Sequence, residues 1–512
     1  MVTALVFLPG LGNAWVAWDD GINFLENPHY RGLGRAQLRW MFTSLDGHWI
    51  PLTWLTLGFD YVVWGMRSGG YHLTSLAFHA ANAGLAFATA RRLLAAAGRR
   101  DPDAAEVGFG AAVAALVWAI HPLRAESVAW VTERRDVVSG FFTLLALLAW
   151  LRFCADGGRR WYRWSLAAFA AALMSKAIVV GLPVILLLLD RYPLRRLDRL
   201  GVRRAVLEKW PFFAMSAAAG LVAVVAHRHV GAFTPATALD WPGRVAVACY
   251  GIVFYVWKTL VPVNLSPLYE LPHRVALLAW PWVGAVTAVA VLTLVAVRLR
   301  RRRPGIAIGW AIWLVALLPV LGLLHYGPHL AADRNTYLAG LTAAMLIGGA
   351  AAAGLARARA RYTGTSIPAA VVAVAVSVSL GLGALTLKQV LVWRDSETLW
   401  RHAVRVSPSA ITHSKVGAVL DEQGKTEEAI VHFRESLRLR PDHTDARNNW
   451  GIALARRGRW REAIEQYRAA VALEPNTVEP RLNLADALEK VGRTAEAAEQ
   501  RGIAERLTPP RR

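Results

Sequence analysis

Cysteine is almost missing from this chain of 512 residues; the two present, Cys154 and Cys249, lie in or at the ends of apolar stretches. Two such residues build neither a disulfide framework nor a zinc pattern. Acidic residues are scarce too, 36 against 58 Lys and Arg, for a formal net charge of +22. An excess of that size invites a nucleic-acid reading, but the basic residues share no face. Many cluster in short links between apolar runs, the signature of cytoplasmic loops, which argues against nucleic acid as a partner. The apolar runs are nearly free of charge. A transporter or channel places ionisable groups inside its spans, so that class ranks lowest.

What the chain has in abundance is apolar surface. It is 55% hydrophobic with 22 tryptophans and a mean hydropathy of +0.33. Apolar runs are readable at about 2–17, 71–93, 107–121, 137–153, 161–175, 177–190, 210–227, 244–262, 279–297, 305–322, 337–356 and 367–387. Lengths of roughly 15–22 residues make them membrane spans of a multi-pass protein. The first run ends near Gly12-Asn13-Ala14 and reads as an uncleaved span, with a cleaved signal peptide as the alternative.

Basic clusters orient the spans. Arg91 to Arg100, Arg152 to Arg163, Arg191 to Lys209, Arg298 to Arg303 and Arg357 to Arg361 all fall on the cytoplasmic side under the positive-inside rule. This requires 161–175 and 177–190 to cross separately and 244–262 to be re-entrant or interfacial. About eleven crossings result, with the amino terminus inside and the carboxyl terminus outside. The outer face then holds 18–70, 121–136, the neighbourhood of 176, 228–278, 323–336 and everything after about 388.

From about Asp395 the composition turns polar. Gly424, Gly458 and Gly492 recur every thirty-four residues, as do Ala429, Ala463 and Ala497, and Pro441, Pro475 and Pro509. That period and those residue types match tetratricopeptide repeats, an α-solenoid whose groove takes a peptide or protein. Units fall at about 410–443, 444–477 and 478–511 of a domain spanning 389–512, with Trp450 in a first helix, Tyr467 in a second and Asn483 in the next first helix. The fold class is therefore all-α: a membrane helix bundle over 1–388, with an outer loop at 18–70, followed by the repeats.

Unusual polar residues gather on the outer face. Asp19 and Asp20 follow Trp15 and Trp18, aromatics of the kind that settle at a membrane surface. An acidic pair there seeks a proton, a metal or a cationic or hydroxylic partner; the alternative is a solvated pair ending a helix. Residues 121–136 hold His121, Glu126, Arg134 and Asp136 in one short connector. They suit an anionic headgroup or an internal ion-pair network such as Glu126 with Arg134. Lys176 sits between two short spans, where it pairs with a lipid phosphate or snorkels. Arg334 follows Asp333 in the loop before Tyr337 and suits a phosphate or a carboxylate.

These residues together resemble the transmembrane and tetratricopeptide-repeat-containing proteins, whose characterised eukaryotic members are protein O-mannosyltransferases. The carriers are Trp18-Asp19-Asp20 with Asn27-Pro28, Pro51-Leu52-Thr53, Tyr71-His72-Leu73, His121-Pro122 through Glu126 to Arg134 and Asp136, Ser175-Lys176 with Leu182-Pro183, Asn264-Leu265-Ser266 with Tyr269, Ala332-Asp333-Arg334 with Tyr337, and the repeats. The chain departs from the pattern at Asn335, where tyrosine is usual, and at Ala339, where proline is usual.

The resemblance implies a glycosyltransferase of the GT-C type that moves mannose or a similar sugar from a polyprenyl-phosphate carrier to a hydroxyl acceptor, protein Ser or Thr, on the extracytoplasmic face. It implies Asp19 or Asp20 as the base, and His121, Glu126, Arg134, Asp136, Lys176, Asp333, Arg334 and Tyr337 around the lipid phosphate and sugar. It implies an acceptor groove at Trp450, Tyr467 and Asn483. No acidic set at ligand spacing compels a metal, and a divalent ion is not excluded. An alanine- and arginine-rich composition with few lysines points to a bacterial inner membrane and an undecaprenyl carrier. The competing expectation is a non-catalytic membrane anchor displaying repeats to cell-envelope proteins.

Overall fold

A computed structural model describes residues 1–512 except 46, 230–238, 273–274, 324–328, 362–365 and 508–512. Gly327, Pro328, Pro509 and the end of the last repeat unit therefore lie outside the described residues. The chain forms two compact units, Met1–Arg394 and Asp395–Arg512.

In the first unit the helices are α1 (Val2–Phe7), α2 (Arg35–Thr43), α3 (Pro51–Trp64), α4 (Ser68–Gly98), α5 (Ala105–Ala119), α6 (Ala125–Ala129), α7 (Arg134–Asp156) and α8 (Arg159–Leu173). They continue with α9 (Leu182–Arg191), α10 (Leu197–Glu208), α11 (Trp210–His229), α12 (Trp241–Leu260), α13 (Trp280–Leu299), α14 (Pro304–Leu317), α15 (Thr336–Arg361) and α16 (Ser366–Val392). A two-stranded antiparallel ribbon, β1 (Tyr269–Glu270) with β2 (His329–Ala331), pairs Tyr269 with Ala331.

Small residues decide which helices touch. A Cβ placed on Gly110 of α5 would meet the Gly348 carbonyl oxygen of α15, and one on Gly348 would meet the Gly110 carbonyl oxygen and Ala114. With no side chain between them the two backbones pack directly, the way membrane helices associate where lipid removes the hydrophobic drive. Helix α4 lies against α5 and α7 and turns its polar residues inward: Ser75, His79 and Asn82 are fully buried. Asn82 donates to the Val137 carbonyl at 2.8 Å, which pins α4 to α7.

Five described helices are long and apolar enough to cross a membrane, or six if the bent pair Ala105–Ala119 and Pro122–Ala129 is one span. The reading of eleven crossings counts shorter or more polar segments as well. Helix α4 is one of these: its interior polar residues lower its hydropathy without facing lipid. Residues 244–262, expected to be re-entrant or interfacial, lie almost wholly in the continuous 20-residue helix α12, which is not among those five or six.

The second unit is α17 (Ser396–Val406), α18 (Ala410–Glu422), α19 (Thr426–Leu439), α20 (Thr444–Arg456), α21 (Trp460–Leu473), α22 (Val478–Lys490) and α23 (Thr494–Leu507). Gly424, Gly458 and Gly492 turn each pair with φ of +78°, +72° and +80°, a left-handed conformation that favours glycine. Between the helices an aromatic ring nests on a glycine: Phe433 over Gly417, and Tyr467 over Gly451. Ala463, Tyr467, Leu484, Ala485 and Leu488 share one buried cluster.

Gly348→Val should lower the apparent Tm in detergent by an overpacking cost of about 1–3 kcal/mol. Gly354→Val, on the same helix with open space at its Cα, serves as the control for helix propensity. Equal melting of the two variants would show that the α5–α15 backbone contact does not hold the bundle.

Candidate functional site

Helix α5 ends at Ala119, and the chain does not simply turn back. The His121 side chain accepts from Leu123 N and starts a 3-10 turn, Pro122–Arg124; α6 and a second 3-10 turn, Val131–Glu133, lead into α7. This folded connector is buried throughout, charges included: Arg124, Glu126, Glu133, Arg134 and Asp136 all lie inside.

Glu133 is the hub. One carboxylate receives Arg135, with Nη2 to Oε1 at 2.5 Å and Nε to Oε2 at 3.1 Å. It also receives Lys176 Nζ at 2.8 Å and Arg334 Nε at 3.2 Å. Lys176 continues to Asp136 Oδ1 at 2.7 Å, and Ser127 Oγ donates to Asp136 Oδ2 at 2.9 Å. Arg334 pairs through Nη1 with Glu126, whose other oxygen accepts the Arg334 backbone N–H at 2.8 Å. Three carboxylates thus face three cations, which limits the penalty of taking charge out of water. The carboxylates lie behind, with side chains 0–3% exposed, and Arg135, Lys176 and Arg334 lie in front at 12–15%. An anion approaching this cluster meets guanidinium and ammonium groups first.

The turn that carries Lys176 is clamped. Thr53 Oγ1 donates to the Ser175 carbonyl at 3.0 Å, and Ser139 Oγ to the Ala172 carbonyl at 3.2 Å.

The two aspartates at the start of the chain have different surroundings. Asp20 is buried and accepts three bonds, from Val16 N at 3.0 Å, Trp130 Nε1 at 2.9 Å and Thr132 Oγ1 at 2.7 Å. Burial outweighs those donors and pushes its pKa from 3.8 up to about 6. Asp19 is half-buried. Trp18 stacks on Trp130 at 4.7 Å between centroids, and Trp130 on Trp393 at 5.4 Å. The Arg334 guanidinium lies 5.6 Å from the Trp130 ring centre. Trp130 therefore ties the aspartate loop to the cation cluster.

Several expected residues stand apart. Arg134 turns away from the cluster and is fully buried; it pairs with Asp60, donates to the Tyr71 carbonyl and to Ser75 Oγ at 3.2 Å, and does not pair with Glu126. His121 is spent on the backbone, Nδ1 accepting from Leu123 N and Nε2 donating to the Thr259 carbonyl at 3.0 Å. Asp333 accepts from Tyr269 OH at 3.2 Å. The Tyr337 hydroxyl is held by His79 Nδ1 at 2.8 Å and Asn82 Nδ2 at 2.9 Å. In the repeats Tyr467 belongs to the buried core, Trp450 is half-buried 5.6 Å from the Arg434 guanidinium, and Asn483 donates to Asn448 Oδ1 at 2.9 Å. Sequence reasoning missed Glu133, Arg135 and Trp130. The density of charge across 121–136 is the signal that covers them.

A cavity of about 1010 Å³ opens beside the cluster, with Asp136, Arg334 and Tyr337 at one end and an otherwise mainly apolar wall. Among the described residues no three His, Cys, Asp or Glu side chains gather at metal-binding geometry.

A TPR repeat model matches residues 451–492. Protein O-mannosyl-transferase Tmtc3 of Drosophila melanogaster is 25% identical over 466 residues, covering 78% of this chain and 49% of its own length. Protein O-mannosyl-transferase TMTC1 of Homo sapiens is 24% identical over 384 residues, covering 66% of this chain and 43% of its own length. The chain spans about half the length of these curated relatives. The crystal structure of ArnT from Cupriavidus metallidurans bound to undecaprenyl phosphate aligns with 82% of this chain and 78% of that one, at 14% identity and a TM-score of 0.38. Fold and composition define a multi-pass membrane protein carrying tetratricopeptide repeats. Its homologues are the protein O-mannosyl-transferases of the transmembrane and tetratricopeptide-repeat-containing group.

Glu133→Gln should destabilise the protein by about 3–5 kcal/mol, because it leaves three cations short of a partner. Lys176→Met, at the front, should cost less. Thermal unfolding in detergent compares them, and a smaller loss for Glu133→Gln would remove the hub from the account. Asp20 gives a pH test. Its folded pKa of about 6 exceeds 3.8, so the folded state keeps a proton that the unfolded state loses. Stability from this group falls as pH rises from about 4 to about 6, by roughly 3 kcal/mol in all. The Tm of the wild type relative to Asp20→Asn should therefore rise on acidification from pH 7.5 to 5; a fall contradicts the assignment.

Proposed function

We propose that this chain is a polyprenyl-phosphate-sugar-dependent membrane glycosyltransferase of the GT-C type, working on the extracytoplasmic face of a bacterial inner membrane. The observation that carries the reading is the forward set of Arg135, Lys176 and Arg334 over buried carboxylates, one indole away from the Asp19-Asp20 loop. The homologues' printed name, protein O-mannosyl-transferase, supports mannose or a similar sugar as the group moved.

In this reading the sugar-linked phosphate docks on the three cations. The acceptor hydroxyl oxygen attacks the anomeric carbon. The bond from that carbon to the phosphate oxygen breaks, and polyprenyl phosphate leaves with the electron pair. The departing group is already anionic, so it needs positive charge rather than a proton, and preorganised cations supply that. The hydroxyl proton goes to a carboxylate. Asp19 is our choice of base, since Asp20 is saturated by three donors and acts by positioning the loop. Attack opposite the phosphate inverts the anomeric centre. The repeats, extracytoplasmic in this topology, offer Trp450 and Asn483 toward a protein acceptor, with Tyr467 holding the repeat core.

The test incubates purified protein with radiolabelled undecaprenyl-phosphate sugars and a Ser/Thr peptide, and follows release of undecaprenyl phosphate. Asp19→Asn should slow release about 10²–10⁴-fold with an unchanged melting profile. Release from Asp19→Asn within twofold of wild type would exclude Asp19 as the base. No release with any donor from folded wild-type protein would exclude the activity.

A further inference from the structure

The long cavity does not end in apolar residues. Besides Asp136 and Arg334 at one end, it is lined by Arg302, Arg303 and Arg357, with Arg100 also on its wall. On α15, Arg357 lies 21 residues beyond Thr336, roughly 32 Å at 1.5 Å per residue. That is close to the hydrocarbon thickness of about 30 Å, so the two charged ends of one groove reach the two surfaces of one bilayer.

Arginines are common at this end; several have protein partners, and what sets Arg302, Arg303 and Arg357 apart is that they line the groove. Arg91 pairs with Asp103 at 3.1 Å, Arg191 with Asp198 at 2.7 Å and Arg359 with Glu106 at 2.8 Å. Arg196 is shared by Asp190 and Glu208, and Arg152 and Arg160 sit on the Trp161 ring. Arg302, Arg303 and Arg357 have no ion-paired or ring partner among the described residues. They come from two separate elements, the α13–α14 turn and α15, and line the same groove as Leu94, Leu182, Ile308, Leu346 and Ala353. Unpaired guanidiniums over an apolar slot at a bilayer surface match one kind of molecule: an anionic phosphate carrying hydrocarbon chains.

We propose that this end of the groove is a binding site for an anionic phospholipid of the leaflet opposite the Glu133 cluster, its phosphate on Arg302, Arg303 and Arg357 and its acyl chains along the lower half of the groove. Chains from one leaflet reach about half of the 30 Å core. The half beside Arg334 stays open to a ligand from the other leaflet. The site does not depend on the transferase reading, since it concerns the opposite end of the cavity.

The full chain is reconstituted in nanodiscs of equal phosphatidylglycerol and phosphatidylcholine, moved into detergent, and the retained lipid is counted by mass spectrometry. Phosphatidylglycerol should be retained over phosphatidylcholine by about tenfold, near one molecule per chain. The triple variant R302Q/R303Q/R357Q should abolish that preference. The triple variant R159Q/R160Q/R163Q removes the same charge at the same end, outside the groove, and should keep it. Ala353→Phe leaves every arginine but narrows the slot, and should also reduce retention while melting as wild type does. Saturating undecaprenyl phosphate should leave the phosphatidylglycerol in place. Equal losses from the two triple variants would reduce the effect to general surface charge, and displacement by undecaprenyl phosphate would mean one shared site; either overturns the proposal.

Discussion

One buried carboxylate organises the site. Glu133 has no exposed side-chain surface and gathers Arg135, Lys176 and Arg334 from three separate parts of the chain. Without it three cations would stand together in a poorly solvated place and repel one another. With it, and with Glu126 and Asp136 taking the outer pairs, the same cations are fixed around one carboxylate, each with part of its side chain still exposed. The interaction stabilises a local concentration of positive charge that bare lysine and arginine side chains would not hold.

The rest of the fold fixes that geometry. Arg134 is the neighbour of both Glu133 and Arg135, and its buried pairing with Asp60 and bonds to Ser75 and Tyr71 lock the start of α7 in rotation. Because Arg134 is anchored inward, Arg135 is placed outward. Arg334 is held to the connector by its own backbone as well as its side chain, both on Glu126. Trp130, donating to Asp20 and stacked between Trp18 and Trp393, brings the acidic loop to the same place. The contacts are short in space, yet the side-chain bonds join residues 59 to 208 positions apart.

The repeats were legible because their interlocks are periodic and close in sequence: glycine at the turn, glycine under an aromatic ring, alanine at the crossing. The same periodicity named Tyr467 but could not give its direction, and the ring lies in the core. In the membrane unit, composition located the charged connector, Lys176 and Arg334. It could not separate Arg134 from Arg135, since consecutive helical residues point about 100° apart and the choice depends on Asp60, 74 positions earlier. The charge density of the connector covers Glu133 but not its role as hub, which comes from partners at 176 and 334. Hydropathy marked 71–93 as an apolar run, yet α4 is not among the five described helices long and apolar enough to cross a membrane; its Ser75, His79 and Asn82 lower its hydropathy and lie buried inside the protein.

The central claim is that the Glu133-held cations form the phosphate site. A cryo-EM structure of the full chain with bound undecaprenyl phosphate tests it directly. The account predicts phosphate oxygens about 3 Å from Arg135, Lys176 and Arg334, with Arg134 still on Asp60. A phosphate lodged elsewhere, with no phosphate oxygen near those three cations, would contradict it.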